Sequence, residues 1–143
     1  MTADDARSVA VARAQLGAGR PLRTRAAGQS MWPLLREGAE VVVVPLTAAP
    51  AVGDVVLLVL GGRLVLHRVV RVLADGAVVT KGDAELGADP PVAAADLLGR
   101  VARAPWDGLV GRASAAPLGG IALWLGLARR AASRARGWRR GAK

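Results

Sequence analysis

Valine and leucine recur in short runs along this chain, and glycine, proline or aspartate closes almost every run. The run Glu40–Leu46 holds four consecutive valines and ends around Pro45, the composition of a β-strand. Val55–Leu60 and Arg63–Leu73 flank Gly61-Gly62, a two-residue glycine turn that predicts a β-hairpin. Leu22–Ala27, Gly76–Thr80 and Leu97–Ala104 read as further strands. Pro90-Pro91 and two glycines make 82–91 a loop, Val92–Asp96 suits a helical turn, and Met31–Arg36 has the length of one or two. Residues 3–17 differ: they are alanine-rich, lack proline and carry glycine only at the end, which predicts a short helix stopped by Gly17 and Gly19.

After Leu118 the period changes. Ile121, Trp124, Leu127, Ala128, Ala131, Ala135 and Trp138 recur every three or four positions, with Arg129, Arg130, Ser133, Arg136 and Arg140 on the other side. That is an amphipathic helix. It suits packing on the domain's own surface, lying on an anionic membrane surface through residues 118–143, or docking on a partner protein. The pattern divides the chain into an N-terminal helix (1–20), a β-rich body (21–104) and a linker with a basic C-terminal helix (105–143).

Charge sharpens this division. The net charge is +9, yet no acid follows Asp107, and eight of the twenty basic residues lie beyond it. The first 107 residues therefore hold twelve basic and eleven acidic side chains, a net of +1. A nearly neutral body argues against nucleic acid as a partner and leaves the anionic surface to the tail. With no cysteine and one histidine, neither a disulfide nor a thiolate or histidine metal centre is expected, and no cofactor is called for. The longest apolar stretch near a terminus, Leu118 to Ala128, is 11 residues, short of the roughly 20 that span a bilayer. The first 19 residues carry Asp4, Asp5, Arg7 and Arg13 and have no apolar core of a signal peptide. The expected location is cytoplasmic, with the tail as an attachment to the inner membrane face.

Three places hold residues suited to chemistry. Ser30 lies in Gly28-Gln29-Ser30-Met31-Trp32-Pro33, where a strand gives way to a turn. A serine there exposes its hydroxyl or simply caps the turn. His67 is the only imidazole; on its strand Val65, His67 and Val69 share one face, while Leu64, Leu66, Arg68 and Val70 share the other. Thr80-Lys81-Gly82-Asp83, with Asp89 six residues after Asp83, adds two carboxylates that either orient a base or cap turns in a loop. Lys81 is the only lysine besides the terminal Lys143, and is either a solvated strand-end lysine or an alternative base.

The order of these segments resembles the signal peptidase and LexA-like serine peptidase superfamily. Gly28–Leu34, Gly53–Val56, His67–Val70, Thr80–Ala84 with Asp89, and Gly99–Val101 match its motifs in sequence, over about residues 22–104. Because histidine stands where the bacterial enzymes and LexA-type proteins carry lysine, the chain resembles the Ser–His branch of microsomal and archaeal signal peptidases. The resemblance implies a mainly β fold, a coiled antiparallel β-sheet, and a hydrolase acting on a peptide or protein such as a leader peptide. It makes Ser30 the nucleophile with its own backbone N–H as oxyanion donor, His67 the general base, Asp89 the orienting acid, Asp83 a support to the site and Lys81 structural. Gly28 stands where some members offer an oxyanion-binding hydroxyl, and Gly38-Ala39-Glu40 replaces the usual Gly-Asp. The family's membrane anchors have no counterpart here, which points to a cytoplasmic substrate.

Two other functions fit. A LexA-type self-cleaving protein needs a cleavable segment, for which Ala18-Gly19 and Ala27-Gly28 qualify by residue type, although the second is too close to Ser30 to reach it. A catalytically idle β domain that binds peptides along an exposed strand has no need of Ser30, His67, Asp83 and Asp89 together.

Overall fold

The structure, a computed structural model, describes residues 1–102. The expected end of the last strand at 103–104, the linker and the basic amphipathic helix all lie outside the described residues. The body is mainly β, a six-stranded antiparallel sheet with one helix. The elements are α1 (Ala3–Gly17), β1 (Leu22–Arg25), β2 (Glu40–Pro45), β3 (Val55–Leu60), β4 (Arg63–Val72), β5 (Val78–Lys81), a 3₁₀ turn at Ala94–Asp96, and β6 (Leu97–Val101). In space the strands run β1-β2-β6-β3-β4-β5. The last strand is thus inserted between β2 and β3, and antiparallel pairing holds throughout.

Each strand follows from local chemistry. β3 and β4 pair from Leu60↔Arg63 to Val55↔Arg68, with Gly61 and Gly62 both at positive φ (58° and 77°). Two consecutive positive φ values match the right-handed twist of the strands they join, and glycine adopts them without penalty. α1 starts in a reciprocal cap. Asp5 N donates to Thr2 Oγ1 (3.1 Å), and Thr2 N donates to Asp5 Oδ2 (2.8 Å). The Thr2 backbone N–H, then its hydroxyl, and Arg63 nearby hold the Asp5 carboxyl below its usual 3.8.

One expectation is corrected. Residues 31–36 form turns and not helix. Pro33 has no N–H to donate and disfavours helical backbone at Trp32. Leu35 N closes a single five-residue turn onto Met31 O at 2.9 Å, and Trp32 N a four-residue turn onto Gln29 O at 3.1 Å. The Trp32–Pro33 peptide bond is cis.

Alternation along the strands gives the sheet two apolar faces. One carries Val56, Leu58, Val69 and Val78 with Val92 and Leu97. The other carries Val43 and Leu57 under Ala12 and Leu16 of α1, and Val41 beside Ala26, Met31 and Leu35. Gly99 of β6 lets this second layer close: a Cβ there would lie 2.6 Å from Val44 O, 2.7 Å from Val43 Cγ1 and 3.3 Å from a Leu16 methyl. Among the described residues no helix is long and apolar enough to cross a membrane.

Candidate active site

The site is built on the end of the β4–β5 pair. In β4, His67 lies opposite Val56 of β3, on the face of Val65 and Val69. On its other side β5 pairs Val69↔Thr80 and Arg68↔Lys81. Gly82 follows directly after the last paired residue of β5. Val69, Thr80 and His67 therefore fall on one face, and Arg68 and Lys81 on the opposite one, where Arg68 meets Asp83.

Chemistry gathers on the first face. His67 Nδ1 lies 2.6 Å from Asp89 Oδ2, and Thr80 Oγ1 donates to the same oxygen at 2.7 Å. Asp89 is fixed again through its backbone, whose N–H donates to Thr80 O at 2.8 Å. The chain then runs on antiparallel to β5, exchanging two hydrogen bonds between Val92 and Val78. Because a carboxylate only accepts, the proton of the neutral imidazole sits on Nδ1, leaving a lone pair on Nε2. Both side chains are largely covered, His67 at 9 % exposure and Asp89 at 15 %. Their hydrogen bond is shielded from water and correspondingly strong.

Ser30 arrives from a different part of the chain and is held by the segment after β5. Ala84 N donates to Ser30 O at 2.7 Å. A Cβ on Gly82 would lie 2.8 Å from Ser30 O and 3.0 Å from Ser30 Cβ, so the serine rests directly on the glycine. Gly82 has an ordinary backbone conformation with no positive φ. Its missing side chain is thus needed for this contact and not for a turn. Met31, the next residue, turns into the cluster of Ala26, Leu35 and Val41 and anchors the connection. Among the described residues no hydrogen bond joins Ser30 to the His67 ring, and none takes up the Ser30 backbone N–H.

The sequence-derived candidates separate by face. His67 and Asp89 meet directly, and Ser30 is tied to the same segment through its contacts with Gly82 and Ala84. Asp83 does not touch His67: it receives Arg68 Nε and Nη2 at 2.8 Å each, while Arg68 Nη1 donates to Gly53 O at 2.7 Å. This pair is 3–4 % exposed. Lys81 shares that face and, among the described residues, reaches Gly82 O at 3.4 Å. Sequence reasoning assigned no part to Thr80, Gly82 or Arg68. Thr80 was visible as a hydroxyl in a buried valine strand, and Arg68 as a charge on the leucine side of β4. Among the described residues no group of three or more metal-ligating side chains comes together. Compared with known protein families, characterised proteins and solved structures, the chain finds no match.

Proposed function

We propose that the chain is a serine endopeptidase acting on a peptide or protein, with Ser30 as nucleophile, His67 as general base and Asp89 as the acid that orients it. The observation carrying this reading is the His67 Nδ1–Asp89 Oδ2 hydrogen bond at 2.6 Å, which directs the basic Nε2 away from the carboxylate. Ser30 lies against Gly82, two residues after Thr80, whose hydroxyl shares Asp89 Oδ2 with that ring.

In the proposed reaction Nε2 takes the Ser30 hydroxyl proton as Oγ attacks the scissile carbonyl carbon. Asp89 stabilises the imidazolium that forms. The Ser30 backbone N–H serves as one donor to the developing oxyanion. Nε2–H then protonates the leaving amine, the C–N bond breaks and an acyl ester remains on Ser30. Water, deprotonated by His67, hydrolyses that ester and regenerates the serine. The arrangement of His67 with Asp89 favours the imidazole as base over Lys81, which lies on the opposite face.

Incubating the full chain with a diverse peptide mixture and reading new termini by mass spectrometry tests this. Cleavage should vanish in Ser30→Ala and fall by roughly 10²–10⁴ in His67→Ala. Equal cleavage by all three proteins would rule the reading out. Loss in the serine variant alone would transfer the role of base to another group, with Lys81 the first to test.

A further inference from the structure

Thr80 is the residue for which the fold itself gives no reason. It is fully buried, in a strand whose neighbours Val78 and Val79 are aliphatic, and it points to the face packed by Val69 and Val78. Valine has nearly the same shape and would fill that place without a polar atom. A buried hydroxyl is costly unless it is bonded. Here its partner is Asp89 Oδ2, the oxygen that also binds His67 Nδ1.

We propose that Thr80 is a positioning residue of this site, whose hydroxyl selects the carboxylate oxygen presented to His67 and fixes the ring in the tautomer with Nε2 free. The proposal rests on the peptidase reading for its catalytic consequence, but its structural content stands apart from activity. The backbone bond from Asp89 N to Thr80 O holds the main chain of Asp89 beside β5. It leaves rotation of the carboxyl group unrestrained. The Thr80 hydroxyl supplies the restraint, because a donor 2.7 Å from Oδ2 holds that oxygen in place against rotation. With Oδ2 fixed, the Nδ1–H bond has one acceptor and one direction. A substrate-facing role for Thr80 is excluded by its complete burial. It acts through Asp89, as an outer hydrogen bond orients a ligand in other polar sites.

The chain's single histidine makes the test direct. With ¹⁵N-histidine in the full chain, the Nδ1–H proton of His67 is the only imidazole resonance to follow. In wild type it should be hydrogen-bonded and slow to exchange with water. Thr80→Val should keep the fold, as read by circular dichroism, and speed that exchange at least about tenfold; Thr80→Ser should restore it. Thr80→Ala removes the same hydroxyl with less bulk and serves if valine crowds Asp89. A wild-type exchange rate in the folded valine or alanine variant would overturn the proposal. So would failure of the serine variant to rescue. If exchange responds as described while the wild-type chain cleaves nothing, the peptidase reading fails and the role of Thr80 stands. If cleavage depends on Ser30 and His67 but exchange is unmoved, the reverse holds.

Discussion

His67 and Arg68 are neighbours on one strand, and each has taken a different carboxylate. Alternation sends His67 to Asp89 and Arg68 to Asp83, on opposite faces of the sheet. The two acids therefore separate chemistry from architecture. Asp83 neutralises a guanidinium that is almost wholly buried, and an unpaired buried charge is costly. Asp83→Asn should lower the free energy of unfolding by roughly 3–5 kcal/mol, measured by urea denaturation followed by circular dichroism. Asp89→Asn should lower stability far less, because its carboxyl is more exposed, yet change the exchange of the His67 ring proton. An Asp83 variant as stable as wild type would contradict this division.

At the scale of elements, β5 and the residues after it organise the site. Thr80 faces Asp89, Gly82 accepts Ser30, Asp83 clamps β4 and Ala84 N holds the Ser30 carbonyl, all within five residues. Gly82 is the sensitive point. Gly82→Ala brings a methyl within 3.0 Å of Ser30 Cβ and must displace the serine or the strand end. The reaction rate should fall by about 10², the cost of misplacing reacting groups by around an ångström, with circular dichroism unchanged. An unchanged rate would mean Ser30 is not held by this contact. Elements of this kind were legible in part. β3, β4 and their Gly61-Gly62 turn follow from local alternation and a glycine pair, and β3 was bounded to the residue. The 31–36 stretch was not, since its length suits helix but Pro33 interrupts the hydrogen bonding.

At the scale of the molecule, the strands of the described residues and the mainly β class were readable because they come from near-neighbour patterns. The sheet order was not. That β6 enters between β2 and β3 depends on contacts far apart in sequence, from Leu58↔Leu97 to Val43↔Val101, including the close approach that Gly99 permits against Val43 and Val44. The site shows the same split. Ser30, His67 and Asp89 were marked by residue type and order, whereas the parting of Asp83 from Asp89 needed the β4–β5 register. Thr80 stood out only as part of the Thr80-Lys81-Gly82-Asp83 segment, since a threonine's partner is invisible until the loop carrying Asp89 folds back. Everything functional then turns on whether Ser30 is activated by His67. The most direct measurement treats the full chain with a fluorophosphonate probe, maps the adduct by peptide mass spectrometry and compares labelling rates. Phosphonylation is expected at Ser30, with none there in Ser30→Ala and at least about a hundredfold slower labelling in His67→Ala. An adduct on another residue, or a rate indifferent to His67, would contradict it.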